Sequence, residues 1–457
     1  MHTEQIGLRT TMKKVDGDCL TPIVIFRRMQ GKQRFLLESS SQKEGSGRYS
    51  FMGMDPLKSY RGGNGQIEEY IYGSGKKYVH EGELFTLLKR LMPRIADVMD
   101  FPFIGGAVGY VGYGATREEG KDLADGLGLP DAYFNIYDTV VIFDHLLNEV
   151  TLLHTAINPE HETPDLDALA ERILTGSLEE ESDFTMSAYE SSVTQQTFEE
   201  MVYKAKTYIG NEEVEQIVLS RRLEADFKGN PFSVYRKLRK QNPSPYMYYM
   251  EFDDHTVIGT SPESLVGVTN GKVMTNPIAG TRRRGINGTE DMELERQLRA
   301  DPKERLEHDM LVALSKKEMT SICNPGSISV SNYMETVRYE HVMHLVSEVE
   351  GTLAQGLHAL DALKTCLPAG TVSGSPKRRA MELIDELEKM QRGIYGGAIG
   401  YIGLNGSIDF ALTIRTMLLK KGKAYVQAGA GIVRDSDPTS EYMETVNKAR
   451  SLLEIVE

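Results

Sequence analysis

The stretch "YVQAGAGIVRDSDPTSEYMETV", residues 425 to 446, joins a strand pattern directly to a helix pattern. Its first part, through Val433, is a strand-like run interrupted by glycines. Its second part begins a helix, with Asp437 as the N-cap and Pro438 as the first helical residue. An aspartate side chain accepts a hydrogen bond from the free N–H groups of a first helical turn, and proline has no N–H to leave unpaired there. The sequence therefore predicts a strand followed at once by a closing helix.

Other strand-like runs occur in groups along the chain. In residues 20 to 150 they are "TPIVIFRRM", "RFLLESS", "YSFMGMD", "FIGGAVGYVGYG" and "TVVIFDH", with one amphipathic helix, "ELFTLLKRLMPRI", among them. A second group begins with a helix at Thr197, which forms a capping-box pattern with Glu200, and includes a long helix from about Met292 to Met319. Because strands are grouped and do not alternate strictly with helices, the sequence predicts an α+β fold with largely antiparallel sheets.

Composition divides the chain into three regions. Residues 1 to 155 form an N-terminal region, residues 196 to 457 carry most of the motifs described below, and residues 156 to 195 connect the two. The connection contains "SLEEESD", residues 177 to 183, and such a charged run is typical of an exposed segment.

Charge and cysteine content limit the classes of partner. The 457 residues carry a formal net charge of −14, so we expect no general attraction to nucleic acid or to an anionic membrane. Cys19, Cys323 and Cys366 are too few and too scattered for a disulfide framework, and none lies in a CxxC pair. No run resembles a signal peptide or reaches the roughly 20 apolar residues of a membrane span, so we expect a soluble, cytoplasmic protein.

Two pairs of glutamates are candidates for a metal site. Glu304 and Glu307 are three residues apart in one predicted helix, as are Glu441 and Glu444 in another, so each pair shares a helix face. Carboxylate oxygens suit Mg²⁺ better than they suit softer metals. On spacing alone, both pairs are also compatible with ordinary solvated helix faces.

Several other residues fit either chemistry or structure. His341 and His344 lie in an apolar run, where a histidine is a semi-buried side chain or a general acid or base. Glu263 follows a Ser-Pro turn, and Arg415 lies inside the predicted apolar strand "FALTIRT", where it needs a carboxylate partner from the protein or from a substrate. The glycine-rich turns "PAGTVSGSPK", "YGGAIGY" and "QAGAGIV" either bind an anion through backbone N–H groups or simply join strands.

The stretch "NPIAGTRRRG", residues 276 to 285, places three arginines behind a Gly-Thr turn. Their spacing does not allow all three to face one ligand. We therefore expect at least one of them to pair with acidic residues near the predicted metal helices.

In their order along the chain, these motifs resemble the chorismate-utilising enzyme family. The resemblance covers nearly all of residues 197 to 456 and is carried by the motifs "QIVLSRR", "NPSPYMYY", "TSPESL", "PIAGTRRRG", "DPKERLEHDMLV", "HVMHLVSEVEG", "PAGTVSGSPKRRAMELI", "RGIYGGAIGY", "ALTIRT" and "QAGAGIV" with the helix after it. "LLESSS" and "FIGGAVGY" extend it to the N-terminal region. The resemblance implies two packed, largely antiparallel sheets flanked by helices, with an Mg²⁺-dependent site between them.

The resemblance also assigns roles to individual residues. Glu307 and Glu444 are implied as direct Mg²⁺ ligands, Glu304 and Glu441 as ligands directly or through water, and Glu263 as the acid that assists departure of the substrate's ring hydroxyl. The implied catalytic residues are His344, Glu263, Gln216 and Thr371, and the implied substrate-binding residues are Ala279, Gly280, Thr281, Tyr395, Arg415, Gly429, Ala430, Gly431 and Lys377. Because chorismate carries two carboxylates, a site for it needs a metal, an arginine and backbone donors.

Two positions distinguish reactions within the family. Relatives that add water to chorismate carry lysine at the position of Gln216, and glutamine cannot remove a proton from water. Relatives that make aminodeoxychorismate commonly carry lysine at the position of Ala279, and alanine offers no nucleophile. The resemblance therefore implies amination by ammonia and elimination of pyruvate, which yields anthranilate, the first committed step of tryptophan biosynthesis.

A second site is implied for tryptophan as a feedback inhibitor. The residues that match it are Glu38, Ser39, Asn242, Pro243, Ser244, Pro245, Tyr246, Met247 and Tyr248. A carboxylate suits the ligand's ammonium group, and Pro, Tyr and Met side chains suit an indole ring. Without the resemblance, the same residues predict a strand-turn-strand junction in the core.

The sequence departs from the family pattern at "MLVALSKKEM", where the family usually has "MLVDLARND". This departure keeps a non-catalytic, tryptophan-sensing paralogue open as an alternative, beside an enzyme that makes aminodeoxychorismate. None of the cysteines lies on a glutaminase-type nucleophile turn, so we expect ammonia to come from a separate glutaminase subunit.

Overall fold

In this computed structural model the described residues are 10–40, 47–95, 99–117, 123, 126–157, 163–180, 182–339 and 342–456. Their strands, β1 to β25 in chain order, are Thr10–Asp16, Phe35–Glu38, Tyr49–Gly53, Lys58–Gly63, Gln66–Ile71, Lys76–Glu81, Gly106–Val111, Ala132–Tyr137, Thr139–Asp144, Glu149–Thr155, Phe184–Met186, Glu190–Ser191, Gln216–Gly229, Tyr246–Glu251, His255–Ser261, Ser264–Thr269, Lys272–Thr275, Ile278–Arg283, Ser329–Arg338, Val342–Thr352, Gly374–Ser375, Ala398–Gly403, Ile408–Leu412, Thr416–Lys420 and Lys423–Ile432. Their α-helices, α1 to α10, are Pro22–Arg28, Leu84–Leu91, Leu166–Thr175, Gln195–Gly210, Pro231–Gln241, Gly288–Ala300, Pro302–Thr320, Ala359–Cys366, Lys377–Glu388 and Pro438–Leu453.

The strands form two antiparallel sheets. Sheet 1 has the order β1-β10-β9-β3-β2-β14-β15-β24-β25-β13-β11, with β12 and β21 also paired to β13. Sheet 2 has the order β18-β20-β17-β16-β23-β22-β7-β8-β4-β5-β6, with β19 also paired to β20. The predicted α+β fold with two packed, largely antiparallel sheets is therefore confirmed. Each sheet contains strands from residues before 155 and strands from residues after 195. The predicted division of the chain into three regions therefore does not correspond to a division between the sheets.

The core consists of layers on the faces of these sheets. One apolar cluster lies between the sheets and combines Phe35, Phe51 and Tyr248 of sheet 1 with Tyr401 and Ala411 of sheet 2. A second cluster packs helices such as α1 and α5 on the other face of sheet 1, and a third packs α2 and α8 on the other face of sheet 2. Burial on both faces explains why many strands are almost wholly apolar.

The closing stretch folds as the sequence predicts. β25 ends at Ile432, the side chain of Asp437 accepts a hydrogen bond from the Ser440 N–H, and Pro438 is the first residue of α10. A short turn joins the strand to the helix, so α10 packs back against β25.

Some predictions of helices and strands are wrong. "TPIVIFRRM" is not a strand but contains α1, because Thr21 caps a helix whose first residue is Pro22. The long helix predicted from about Met292 to Met319 is two helices, because Asp301 ends α6 and its side chain caps α7.

The helix predicted from Thr197 begins earlier. Thr194 is the N-cap of α4 and accepts from the N–H of Thr197, so the predicted capping box with Glu200 does not form. A second threonine three residues upstream provides the same capping chemistry one turn sooner.

Candidate active site

The site is built where β18, β20 and the loop before β24 meet the N-terminal halves of α7 and α10. A β-bulge interrupts the pairing of β18 with β20 between Ala279 and Thr281. Gly280 has a φ of +68° at this bulge, a conformation that glycine adopts without strain. A side chain there would also collide with Glu304, whose Oε2 lies 3.2 Å from the Cβ position. The Gly-Thr turn and the first metal candidate are therefore neighbours.

The bulge also orients His344. Its Nδ1 lies 2.9 Å from the carbonyl oxygen of Gly280 and 3.0 Å from Oγ1 of Thr281. A carbonyl only accepts, so Nδ1 carries a proton and donates it to Gly280. Burial lowers the pKa of His344 below its usual value, and the charge of Arg415 lowers it further. In the neutral ring, Nε2 is then the basic atom. His341 lies outside the described residues.

Burial makes the carboxyl of Glu263 a much weaker acid than a solvated glutamate. Burial raises the pKa of Glu263 to about 7, against the opposing effects of a hydrogen bond from Thr371 and the charge of Lys448. Oγ1 of Thr371 donates to Oε1 of Glu263 at 2.9 Å, and the Leu412 N–H donates to its backbone carbonyl at 3.0 Å. A carboxyl with a pKa near neutrality is suited to general acid catalysis. The structure thus brings two predicted catalytic residues, Glu263 and Thr371, into contact.

Arg415 lies in the turn between β23 and β24, and not inside a strand as the sequence predicted. It adopts a left-handed conformation with φ +51°. Within the described ranges no carboxylate pairs with its guanidinium, and burial lowers its pKa. Its charge acts on both His344 and Tyr395. A buried cation without a partner from the protein is suited to an anionic ligand.

The carboxylates of the two helices influence one another. Burial raises the pKa of Glu307, and the charges of Glu304 on α7 and Glu444 on α10 raise it further. Burial likewise raises the pKa of Glu441, again with a contribution from Glu444. The two helices therefore present their carboxylates to a common space, and this surplus of negative charge favours a cation.

The oxygen-only donor set fits Mg²⁺, but the structure shows no preformed cage. Among the described residues, no group of three or more His, Cys, Asp or Glu side chains is close enough to hold a metal ion. Oε1 of Glu444 pairs with Lys448 Nζ at 2.7 Å, and Oε1 of Glu304 lies 3.4 Å from Arg282. Lys448 therefore occupies Oε1 of Glu444, one of the oxygens that a metal ion would use.

Lys448 belongs to the site, although the sequence analysis did not single it out. Besides the pair with Glu444, its Nζ donates to the carbonyl oxygen of Gly429 at 3.1 Å, and its charge lowers the pKa of Glu263. The i, i+4 spacing from Glu444 on one helix was the available signal. Lys448 therefore interacts with Gly429 of β25, with Glu444 of α10 and with the buried acid Glu263.

The predicted turn "QAGAGIV" is not a turn, because its glycines lie inside strand β25, where close packing excludes larger side chains. The Tyr395 hydroxyl lies 2.8 Å from the position of a Cβ on Gly429, and Gln216 Nε2 lies 2.9 Å from the corresponding position on Gly431. Gly429, Gly431, Tyr395 and Gln216 are thus brought together. Ala430 points to the other face, where it is fully buried against α4 and α9, so only its backbone faces the site.

Lys377 is engaged by the segment that departs from the family pattern. Its Nζ lies 2.8 Å from Oε1 of Glu318 on α7 and donates to the Thr365 carbonyl at 3.2 Å. Burial raises the pKa of Glu318, whereas the ammonium group of Lys377 lowers it and thereby stabilises the charged form of this carboxylate. The departing segment therefore ties the end of α7 to the start of α9.

The three arginines of the Gly-Thr stretch all pair with nearby acids. Arg282 pairs with Asp301 at 2.7 Å and contacts Glu304, and Arg284 pairs with Asp291 at 2.8 Å. Arg283 pairs with Glu290 at 2.5 Å. The prediction that at least one would pair near the metal helices is confirmed.

A buried ion pair supports the loops around Tyr395 and Thr371. Arg392 and Glu388 have side chains only 1% exposed, and Arg392 Nε donates to Glu388 Oε2 at 2.8 Å. Arg392 also donates to the Val372 carbonyl at 2.6 Å, and Glu388 accepts from the Ser220 N–H at 2.7 Å. Breaking a buried pair of this kind strongly destabilises a fold, so it fixes these loops in place.

The residues predicted for tryptophan cluster where β2, β14 and the end of α5 meet. Glu38 is opposite Met247 in the β2–β14 pair, and the Ser40 N–H donates to the Ser244 carbonyl at 3.1 Å. Of the other predicted members, Ser39 directly follows β2, and the rest lie on β14 or in the turn between α5 and β14; these are Asn242, Pro243, Pro245, Tyr246 and Tyr248. Their side chains point to two different faces of sheet 1, Glu38 toward α5 and Tyr246 and Tyr248 toward sheet 2.

The comparisons agree with this architecture. The family described as chorismate binding enzyme matches residues 32–454. Anthranilate synthase component 1 of Lactococcus lactis subsp. lactis (strain IL1403) is 43% identical over 97% of this chain and 99% of that protein. The corresponding protein of Thermus thermophilus is 40% identical, and the alignment covers 98% of each chain.

Solved structures show the same fold. Anthranilate synthase component I from Streptococcus pneumoniae TIGR4 has a TM-score of 0.80 and 37% identity, covering 99% of this chain and 100% of that one. The menaquinone-specific isochorismate synthase from Escherichia coli has a TM-score of 0.75 at 18% identity, covering 99% and 95%, which shows the fold alone. No helix in the described part of the chain is both long enough and apolar enough to cross a membrane. From the match over residues 32–454 and from relatives that align over their whole length, this chain belongs to the chorismate binding enzyme family.

Proposed function

We propose that this chain acts as an anthranilate synthase component 1, converting chorismate and ammonia to anthranilate, pyruvate and water. The observation that carries the proposal is that one site contains both a buried acid and a cation without a carboxylate partner among the described residues. Glu263 has a pKa of about 7, and Arg415 has no carboxylate partner among the described residues. A dicarboxylate with a hydroxyl leaving group needs both features in one site.

In the first step, the nitrogen of ammonia bonds to the ring carbon next to the carboxyl-bearing carbon. The ring hydroxyl leaves as the carbon–oxygen bond breaks, and Glu263 donates the proton that turns it into water. Thr371, which donates to Glu263, fixes the orientation of the acid. Gln216 cannot deprotonate water, so ammonia, already a nucleophile, is the attacking species.

In the second step, the ring loses the proton at the carbon that now bears nitrogen, and the enolpyruvyl group leaves as pyruvate. We assign removal of this proton to Nε2 of His344, because Nδ1 is committed to Gly280. The proton ends on the methyl group of pyruvate, and the ring becomes aromatic. Ala279 has no amine to attack the ring, which favours this course over covalent catalysis.

Binding falls to the cationic and backbone groups. We assign the substrate's carboxylates to Arg415 and to the backbone N–H groups of Gly429 and Gly431 in β25. When bound by Glu304, Glu307, Glu441 and Glu444, Mg²⁺ supplies further positive charge for a carboxylate. Lys448 lies beside Gly429, and its charge acts on Glu263.

Two partners complete the proposal. Ammonia comes from a separate glutaminase subunit, in keeping with the "component 1" in the names of the relatives. Tryptophan binds as an inhibitor near the β2–β14 pair, which brings a carboxylate, two prolines and two tyrosines together.

The test uses the chain alone with chorismate, Mg²⁺ and an ammonium salt, followed by the fluorescence of anthranilate. We expect fluorescence that grows with ammonium concentration, and none when glutamine replaces ammonium in the absence of a glutaminase. Accumulation of aminodeoxychorismate or isochorismate would overturn the proposal. Complete inactivity under all these conditions would support the non-catalytic alternative.

A further inference from the structure

Arg282 is a cation placed between the Gly-Thr bulge and the carboxylates of α7. Its NH2 donates to Oδ2 of Asp301 at 2.7 Å, and its NH1 donates to the Thr281 carbonyl at 3.0 Å. NH1 also lies 3.4 Å from Oε1 of Glu304. The side chain of Arg282 is 30% exposed, so water and salt screen its charge only in part. Its charge therefore acts directly on a predicted metal ligand.

The two oxygens of Glu304 have different neighbours. Oε1 faces Arg282, whereas Oε2 lies on the side of the bulge, 3.2 Å from the Cβ position of Gly280. Asp301 divides its own oxygens in a similar way. Its Oδ2 accepts from Arg282, and its Oδ1 caps α7 by accepting from the N–H groups of Lys303 and Glu304. Asp301 thus holds Arg282 beside the first turn of the helix that carries the glutamates.

Cations also act on the other three glutamates. On α10, Lys448 Nζ pairs with Oε1 of Glu444 at 2.7 Å. The charge of Lys303 lowers the pKa of both Glu307 and Glu441, so it reaches carboxylates of both helices. Together with the arginine of β18, these cations offset much of the negative charge of the four glutamates.

This offset decides which ions the carboxylates prefer. The attraction between an ion and a site is proportional to the charge of each. A site with a large surplus of negative charge therefore favours a trivalent ion over a divalent one, and a site whose charge is largely offset loses that preference. Arg282 is anchored by Asp301, which is not one of the predicted ligands, so its position does not depend on the four glutamates.

We propose that Arg282 sets the charge of the metal site, so that the four glutamates bind a divalent cation such as Mg²⁺ and discriminate against trivalent ions. Arg282 acts through Glu304 and is therefore a positioning residue, distinct from the ligands and from the catalytic residues. The inference rests on the proposed function, because the assignment of Mg²⁺ to these glutamates belongs to it.

The test is calorimetric titration of the whole chain with Mg²⁺ and, separately, with Tb³⁺. Arg282→Gln removes the charge and leaves Asp301 free to cap α7. We expect Mg²⁺ to bind to this variant roughly tenfold more tightly than to the wild type, and Tb³⁺ roughly thirtyfold more tightly, because the gain in binding free energy scales with the charge of the ion. Arg282→Lys keeps the charge and should bind both ions within about threefold of the wild type.

Asp301→Asn tests the same contact in the opposite direction. Asparagine caps a helix as well as aspartate does, so α7 should still begin at the same residue. Arg282 then has Glu304 as its remaining acidic partner among the described residues. Mg²⁺ binding should weaken by roughly tenfold and Tb³⁺ binding by roughly thirtyfold. Damage to the fold would weaken ion binding in both variants, so opposite signs identify an effect of charge.

A neighbouring arginine provides the matched control. Arg283 pairs with Glu290, which is not one of the four glutamates, so Arg283→Gln should bind both ions as the wild type does. Thermal unfolding checks that each variant is folded. If Arg282→Gln does not fold, Arg282→Met takes its place, and the result for Asp301→Asn stands independently.

The outcomes separate this inference from the proposed function. Unchanged or weaker Mg²⁺ binding in Arg282→Gln, or a gain of the same size for both ions, would overturn the role of Arg282, while Mg²⁺ binding by the wild type would still support the metal site. Failure of the wild type to bind Mg²⁺ would remove the metal site and this inference together, whereas anthranilate formation would still support the catalytic proposal.

Discussion

Replacing Glu263 with glutamine removes an ionisable carboxyl while keeping its shape and its hydrogen bond with Thr371. Burial raises the pKa of Glu263 from the ordinary 4.5 to about 7. That difference corresponds to about 3 kcal/mol in favour of the protonated form. At neutral pH about half of the Glu263 side chains are then protonated, compared with well under about 1% for a solvated glutamate.

Two effects of the Glu263→Gln variant follow from this shift. As a general acid, the residue contributes roughly a hundredfold to ten-thousandfold to the rate, so kcat should fall by that factor while KM changes little. The wild-type rate should also fall as pH rises through about 7, since the acid must be protonated, and the variant should lack this limb.

The Glu263→Gln substitution lowers activity, but we expect it to raise the free energy of unfolding at alkaline pH. Because the folded-state pKa of Glu263 is raised, its contribution to stability is fully present below the unfolded pKa and is lost as pH rises through about 7. Glutamine has no such loss. The free energy of unfolding of the variant should match the wild type in acid and exceed it at mildly alkaline pH by up to about 3 kcal/mol.

The assay combines anthranilate fluorescence across a pH series with urea unfolding at two pH values. Asp226→Asn serves as a matched surface control and should change neither measurement. A variant that loses activity but keeps the alkaline limb, or one that is less stable than the wild type at alkaline pH, would refute the role given to Glu263.

Three further predictions concern other charged groups of the site. Arg415→Met should raise KM for chorismate by roughly tenfold to a hundredfold without lowering the thermal midpoint, because no protein carboxylate loses its partner; a drop in stability without a change in KM would contradict this. Glu307→Gln should weaken Mg²⁺ binding, measured by calorimetry, by more than the roughly tenfold to hundredfold that is typical of losing an outer-shell partner. Without metal, the same substitution should raise the thermal midpoint, because it removes repulsion between like charges. An unchanged Mg²⁺ affinity would exclude Glu307 as a ligand. Lys377→Met should lower the free energy of unfolding by about 1 kcal/mol through the loss of its pair with Glu318, with Glu318→Gln restoring part of it; a rise in KM alone would instead support a substrate role for Lys377.

Much of the fold follows from the sequence because local chemistry and packing agree. The closing strand and helix are an example, where Asp437 and Pro438 define the helix start unambiguously. "TPIVIFRRM" misleads because a short apolar run has no period that separates a buried helix from a buried strand. The Asp-Pro pair at Asp301 is a sequence signal for the start of a new helix. The prediction missed it because helix-forming residues occur on both sides.

The site was predictable as a set of residues and not as a geometry. The glutamate spacing on α7 and α10 was visible in the sequence, whereas the mutual effect of Glu307 and Glu444 depends on how distant elements pack. The direction in which the Glu38 side chain points depends on strand register, which no local pattern specifies.

The central claim is that the chain itself forms anthranilate from chorismate and free ammonia. Its most direct test is mass analysis of the products made from chorismate, Mg²⁺ and nitrogen-labelled ammonium. We predict labelled anthranilate together with an equal amount of pyruvate, in wild type but not in Glu263→Gln. Unlabelled isochorismate, labelled aminodeoxychorismate without pyruvate, or equal product from the variant would contradict the account.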